Sequence, residues 1–270
     1  MKTTLTPRAI IEKWYARLGF PERYDAEFHE ALRTVDLSDV TTVAAYDKSC
    51  EDGKKNLLSY LYFCEDAERA MLARGISAEI ITDTLSDIVT WCNTWSGVKG
   101  TLCLYELPWL ACHLRGKFFR LGRLQFFLTG AEHDIPKYGI AKGDTLVEVH
   151  IAEGEKLTVE ACEASLDAAR AFFAKHFPEA DFTVFTCHSW LLDDTLGVFL
   201  SPESGIRRFA GMFDCVAQDE SPALLRYLFG WDTTPDNLKD KTPTSGFAAK
   251  VKEAFLGGTV FYETLGVIPK

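Results

Sequence analysis

Apolar residues over positions 1–111 recur at the three- and four-residue spacing that predicts amphipathic helices. The clearest start is Thr6 followed by Pro7, an N-cap with proline in the first helical turn, and Gly19 ends that helix. Further helices are predicted over 25–34, about 55–74 and 77–95. The short connections between them favour a small antiparallel helical domain.

Strand patterns replace the helical spacing after this region. Residues 118–128 are rich in aromatic side chains and predict one strand, in which Gly122 marks a bulge or a close backbone approach. Residues 145–151 alternate apolar and polar positions, as a half-buried strand does. Residues 182–192 are apolar on both faces, which is typical of a central buried strand.

A long helix is predicted between the last two of these strands. Thr158 is its N-cap, and an apolar stripe continues over 159–177. Because strand, helix and strand form a crossover unit, we expect strands 145–151 and 182–192 to be parallel neighbours with a right-handed connection. The rest of the chain predicts short helices at 203–214 and 221–229, a helix at 246–256 and a final strand at 259–268.

These patterns together predict an α+β fold. The chain has 270 residues, which is enough for one large domain or two ordinary ones. We expect a helical N-terminal domain over 1–111, followed by a mixed β-sheet domain with flanking helices over 112–270.

The charge balance disfavours some classes of partner. The chain carries 29 Lys and Arg against 39 Asp and Glu, which gives a net charge of −10. Phosphate backbones and anionic membrane surfaces attract basic proteins, so we expect neither nucleic acid nor a membrane as a partner. No apolar run is long enough to span a bilayer, and the N-terminal residues lack the apolar core of a secretory signal.

Eight cysteines are scattered along the chain without a CxxC pair or the spacing of a zinc site. This usage is typical of buried, reduced cysteines in a cytoplasmic protein, so we expect no disulfide bond and no metal site. The sequence also lacks the GxGxxG, GxxxxGK(S/T), HExxH and GxSxG motifs. Their absence weighs against dinucleotide dehydrogenases, phosphate-loop NTPases, zinc proteases and α/β-hydrolases.

The loop before the predicted helix 159–177 is a candidate anion site. A helix N-terminus presents free backbone N–H groups and a positive dipole end, and Gly154 allows a phosphate to approach the backbone closely. The same spacing is also typical of an ordinary connection between a strand and a helix, so both interpretations stand at this point.

Three polar residues near the carboxyl ends of the predicted strands are candidate catalytic groups. Glu148 and His150 share one face of strand 145–151, where a carboxylate can orient or charge a histidine that accepts a proton from an amine. His188 faces one side of the neighbouring strand and Cys187 the other, so we do not expect a nucleophilic Cys–His pair. The alternative is structural: hydrogen-bonded core histidines beside a solvated glutamate.

Three segments, 118–128, 147–166 and 187–193, resemble a bacterial family of acyltransferase-like proteins, and the resemblance extends over nearly the full chain. Members join an N-terminal helical domain to a domain related to the GNAT superfamily of acyl-CoA-dependent N-acyltransferases. The resemblance implies that the pantetheine arm of the coenzyme lies between the fourth and fifth strands of the GNAT fold. It also implies that the pyrophosphate lies on the loop after the fourth strand, whose usual pattern is Gln/Arg-x-x-Gly-x-Gly/Ala.

The family pattern begins at Ile151 in this chain and reads IAEGEK. Gly154 matches the pattern, while Ile151 replaces the usual Gln or Arg and Lys156 replaces the last small residue. The resemblance therefore implies that Ile151, Gly154, Leu157 and Thr158 are the coenzyme-binding residues.

The function that the resemblance implies is N-acylation of a small amine or an amine-bearing polymer, with acetyl-CoA or another acyl-CoA as cosubstrate and no metal. His150, oriented by Glu148, or alternatively His188, is the expected base, and backbone N–H groups near Ile151 polarise the thioester carbonyl. Two alternatives remain. One is a non-catalytic GNAT-like module that binds a small metabolite or a protein partner. The other is a different thioester-using or carboxylate-binding enzyme on the same scaffold.

Overall fold

The structure is a computed structural model that describes residues 5–42 and 51–270. Contacts along the chain divide it into two compact units, residues 1–120 and 121–270. The expected domain boundary after residue 111 remains a proposal. In the described residues, no helix has the length and apolar character needed to cross a bilayer.

Helices form the first unit. Helix α1 (Pro7–Leu18) begins at the predicted cap, where the Thr6 hydroxyl accepts a hydrogen bond from the backbone N–H of Ala9, and ends at Gly19. The others are α2 (Asp25–Thr34), α3 (Gly53–Ala73), α4 (Ala78–Leu85), α5 (Asp87–Lys99) and α6 (Leu107–Leu114). Their core contains Trp14, which is fully buried and donates its indole N–H to the Glu65 carboxylate (3.0 Å).

Two features of this unit differ from the prediction. The single helix expected over 77–95 is divided into α4 and α5 at Ser86, whose hydroxyl donates to the carbonyl of Asp83 (2.8 Å) and competes with the helical ladder. Helix α6 was not predicted, because its sequence LPWLACHL is mostly apolar and shows no polar face from which a helical period can be recognised.

A mixed six-stranded sheet follows, and its first strand spans the division between the two units. The strands are β1 (Phe118–Leu121), β2 (Leu124–Gly130), β3 (Thr145–Ile151), β4 (Val184–Ser189), β5 (Asp214–Glu220) and β6 (Tyr262–Pro269). Their spatial order is β1-β2-β3-β4-β6-β5. Strands β3 and β4 are parallel, and the pairs β2–β3, β4–β6 and β6–β5 are antiparallel. The α+β class and the predicted parallel neighbours are therefore confirmed.

Helix α7 (Val159–His176) connects β3 to β4 as predicted and lies on one face of the sheet. On that face the ring of Phe173 contacts Phe182 (5.6 Å between centroids), and Phe182 contacts Phe185 (5.3 Å). The other helices of this unit are α8 (Gly205–Ala210), α9 (Ala223–Phe229) and α10 (Gly246–Leu256). The opposite face has its own core, in which Leu146, Val184 and Val267 pack against residues of the segment 131–140.

Two strand predictions and one helix prediction need correction. Residues 118–128 form a hairpin and not one strand, because Gly122 has a φ of 74° and turns the chain between β1 and β2. The strand expected over 182–192 covers only 184–189, since the 3₁₀ turn Trp190–Leu192 ends it. The helix expected over 203–214 is shorter and consists of α8, Gly205–Ala210. Strand β5 was not predicted, because this edge strand is largely exposed and lacks apolar alternation.

Free thiols remain the expectation for this chain. Burial raises the pKa of the Cys64, Cys92 and Cys187 thiols, so these side chains are unreactive in the native protein. Cys50 lies outside the described residues. We expect thiol titration of denatured, unreduced protein to approach all eight groups. A reproducible deficit of two thiols would contradict this prediction.

Candidate active site

The two parallel strands of the sheet pair over a short stretch. The ladder between β3 and β4 consists of Val147 with Phe185 and Glu148 with Thr186. The next residues of each strand, 149–151 and 187–189, instead pair with the outer neighbours β2 and β6. The direct β3–β4 pairing that the structure describes therefore ends before the carboxyl ends of the two strands. We call this unpaired edge of β3 and β4 the cleft; a sheet of this kind binds ligands at this edge.

The loop between β3 and α7 lies at the same edge. The Thr158 hydroxyl accepts a hydrogen bond from the backbone N–H of Ala161 (3.3 Å) and caps α7. Gly154 has a φ of 120°, a conformation that side chains disfavour, and a Cβ there would meet no atom within 4 Å. Ile151 and Leu157 are half-buried on either side of this exposed turn. The four predicted coenzyme-binding residues thus lie between the last residue of β3 and the N-cap of α7.

Arg123, which the sequence analysis did not single out, holds this loop by hydrogen bonds. Arg123, in the turn between β1 and β2, donates from Nη1 to the carbonyl of Ala152 (2.8 Å) and from Nε to the carbonyl of Lys156 (3.3 Å). It is 7% exposed. The glycine at position 122 was the available signal, since a turn there places the following side chain beside the sheet edge.

Glu148 and His150 form a contact on the sheet face opposite α7. The Nε2 atom of His150 lies 3.3 Å from Oε2 of Glu148, and each side chain is 30% exposed. Both side chains are therefore reachable from solvent while being held by the strand. The pairing agrees with the predicted orientation of the histidine by the carboxylate.

The second candidate histidine lies on the neighbouring strand. Extending the β3–β4 register by two residues places His188 at the level of His150 and on the same face, across the cleft. The side chain of His188 is 50% exposed, and its Nε2 atom lies 4.0 Å from Oδ2 of Asp219 on β5. Each histidine thus has a carboxylate within reach, and the sequence did not point to Asp219.

Cys187 faces away from the two histidines. It is 1% exposed, and burial raises the pKa of its thiol. The expected absence of a Cys187–His188 nucleophilic pair agrees with this geometry, since the two side chains leave β4 on opposite faces.

Gln125 is a further polar residue on the sheet face that carries His150 and His188. Its backbone is the register partner of His150 on β2, so both side chains leave the sheet on the same side. Gln125 is 4% exposed, and in the described part of the chain its Nε2 atom finds no hydrogen-bond acceptor. A buried, unsatisfied donor of this kind is costly and marks a position that a ligand or water can complete.

Over residues 5–42 and 51–270, no group of three or more His, Cys, Asp or Glu side chains is placed to hold a metal ion. What the cleft does offer is a helix N-terminus on one side of the sheet and titratable side chains on the other. That combination suits an anionic ligand together with a proton transfer.

Two family models match the chain. The model described as a GNAT-like C-terminal domain covers residues 118–268, and the model described as an N-acyltransferase N-terminal domain covers residues 10–116. No curated protein matches the sequence.

Solved structures of similar fold are acyltransferases. One, an acyltransferase in complex with decanoyl-CoA and teicoplanin, is 22% identical with a TM-score of 0.77, covering 96% of this chain and 87% of that one. Another, an acyltransferase mutant in complex with octanoyl-CoA, is 23% identical with a TM-score of 0.79 and the same coverage. At this level of identity the likeness establishes the fold.

Proposed function

This chain belongs to the family that carries a GNAT-like C-terminal domain behind an N-acyltransferase N-terminal domain, and we propose that it is an acyl-CoA-dependent N-acyltransferase. The observation that carries the proposal is the early end of the β3–β4 pairing beside the capped N-terminus of α7. Two strand edges that do not pair with each other there suit an extended pantetheine arm. The helix N-terminus beside them suits the pyrophosphate.

The coenzyme site in this proposal consists of Ile151, Gly154, Leu157 and Thr158. The pyrophosphate approaches the backbone at Gly154, where no Cβ stands in the way, and accepts hydrogen bonds from N–H groups at the start of α7. Backbone N–H groups near Ile151 polarise the thioester carbonyl. The solved structures of similar fold with decanoyl-CoA or octanoyl-CoA support an acyl-CoA as the donor.

The reaction is attack of an amine on the thioester carbonyl. The amine nitrogen forms a bond to the carbonyl carbon, a proton leaves the nitrogen, and the C–S bond breaks as the coenzyme thiolate departs and is protonated. His150, oriented by Glu148, accepts the proton, and His188 is the alternative base. The acceptor is a small amine or an amine-bearing polymer. The teicoplanin complex of a structural neighbour supports an acceptor as large as a glycopeptide.

A second candidate function rests on the composition of the loop. Glu153 and Glu155 are exposed beside Gly154, and Ile151 stands where the family pattern has Gln or Arg. Carboxylates disfavour a nearby pyrophosphate. These residues favour, as the alternative, a non-catalytic module that binds a metabolite or a protein partner. We place either function in the bacterial cytoplasm, which the expected reduced state of the cysteines fits.

Coenzyme binding separates the two functions. We expect coenzyme A or decanoyl-CoA at ~100 times the dissociation constant to stabilise the folded protein by ~2.7 kcal/mol, because the ligand binds only the folded state. A thermal-shift series followed by calorimetry measures this effect. A chain without affinity for coenzyme A or its thioesters would overturn the acyltransferase proposal and leave the binding module.

A further inference from the structure

The guanidinium of Arg123 lies beneath the loop that follows β3. Its two hydrogen bonds to carbonyl oxygens fall at the two ends of this loop, one at Ala152 and one at Lys156. The side chain is buried at 7% exposure, and a guanidinium keeps its charge at any physiological pH. Burying such a charge is costly unless hydrogen bonds compensate it, so these contacts are fixed and directional.

The contacts determine where the amide protons of the loop point. In the described residues no peptide bond is cis, and in a planar trans peptide the C=O and the following N–H point in opposite directions. The carbonyl of Ala152 faces Arg123, so the N–H of Glu153 faces away from it. The carbonyl of Lys156 also faces Arg123, so the N–H of Leu157 likewise points away from Arg123.

The arginine itself is held by the turn that carries it. The backbone N–H groups of Arg123 and Leu124 both donate to the Ser165 hydroxyl on α7 (2.8 and 3.3 Å), and that hydroxyl donates to the carbonyl of Ala161 (2.9 Å). Gly122 makes this approach possible, since a Cβ there would lie 3.0 Å from the Ser165 oxygen. The turn is therefore fastened to the first two turns of α7.

The far end of the loop is fixed from another direction. A Cβ at Gly205, in the first turn of α8, would collide with the carbonyl oxygen of Leu157, so the two backbones are in direct contact. Arg123 thus holds the carbonyls of Ala152 and Lys156, and Gly205 contacts the carbonyl of Leu157. The loop is held at both ends while Gly154 stays open.

We propose that Arg123 is a positioning residue that turns the loop amides of Glu153 and Leu157 toward the pyrophosphate of the acyl donor. The buried cation also opposes the charge of Glu153 and Glu155, which otherwise repel a phosphate. The proposal deepens the proposed function and rests on it. It explains how a loop without the usual Gln or Arg at position 151 still presents donors to an anion.

The test compares two donors that differ only in the nucleotide part. Decanoyl-CoA contains the 3′-phospho-ADP part, including the pyrophosphate, and decanoyl-pantetheine does not, so the ratio of their calorimetric dissociation constants reports on that part of the donor. In R123M we expect the affinity for decanoyl-CoA to fall by about 10- to 100-fold, the range for losing hydrogen bonds that involve a charged group. The affinity for decanoyl-pantetheine should stay unchanged. R123K keeps the charge and part of the donor set, so its loss should be intermediate.

The matched control is Arg170→Met on α7. This change removes a cation that pairs with Asp167, donates to the carbonyl of Pro269 and lies over the ring of Phe185, all outside the loop. We expect it to change neither dissociation constant. If R123M does not fold, R123K carries the comparison. Equal weakening of both donors by R123M or R123K would assign Arg123 a general structural role and overturn the proposal. Unchanged binding of both donors would overturn it as well.

The failure of this proposal is distinguishable from the failure of the proposed function. A wild-type protein that binds neither decanoyl-CoA nor coenzyme A overturns both. A wild-type protein that binds decanoyl-CoA, with a variant that keeps the same preference over decanoyl-pantetheine, overturns the role of Arg123 alone.

Discussion

Replacing His150 with Gln should lower turnover by ~10²–10⁴-fold, the usual range for losing a general base. The imidazole of His150 is the group that Glu148 orients at 3.3 Å, on the face of β3 that opens into the cleft. A glutamine side chain keeps a polar group of similar size but does not accept the proton of the amine. Initial rates with a fixed acyl-CoA and a varied amine measure the effect.

The pH dependence of this variant carries its own information. As the pH rises, a larger fraction of the amine is deprotonated before it binds, and the reaction needs the base less. The difference between wild type and His150→Gln should therefore shrink toward high pH. Affinity for the acyl-CoA should change little, because in the proposed site the phosphates lie at the Gly154 loop, away from His150.

His188→Gln is the necessary control, since His188 lies at the same level across the cleft and has Asp219 at 4.0 Å. Full activity in His150→Gln with a large loss of activity in His188→Gln would show that His188, on β4, is the base. Normal activity in both variants would show that the amine reaches the site already deprotonated or through a water relay, and that our catalytic assignment is wrong.

The elements that build the site were predictable where local pattern and tertiary role agree. Strand 145–151 alternates because one face contacts α7 while the other carries Glu148 and His150, and its bounds match the prediction. The N-cap of α7 was predictable because capping is local: the Thr158 hydroxyl accepts a hydrogen bond from the N–H of Ala161, three residues further on. The parallel pairing of β3 and β4 followed from the length of the crossover.

Features that depend on distant contacts were not predictable. The edge strand β5 is exposed along most of its length, so no apolar period distinguishes it, yet it brings Asp219 to His188. The role of Arg123 depends on carbonyl groups far along the chain, which carry no side-chain signature in the sequence. Gln125 is inconspicuous within an aromatic strand, and only the β2–β3 register places it beside His150.

Replacing Gly154 with Asp should abolish coenzyme A binding while leaving the fold intact. The position is exposed and a Cβ there meets no atom within 4 Å, so the change disturbs no packing. The new carboxylate stands where the pyrophosphate approaches the backbone, next to Glu153 and Glu155, and repels it. Calorimetry with coenzyme A measures the loss, and thermal unfolding of the free protein reports on the fold.

Two controls separate charge from backbone strain in this variant. Gly143→Asp places the same side chain at another open glycine with a positive φ (93°), so it matches the strain without facing the loop, and coenzyme A binding should be normal. Gly154→Ala adds the strain of a Cβ at a φ of 120° without the charge and should weaken binding less than Gly154→Asp. If Gly154→Asp binds coenzyme A as tightly as wild type, the phosphates do not lie at the start of α7. The donor must then enter the cleft from another side, and the assignment of Ile151, Gly154, Leu157 and Thr158 falls with it.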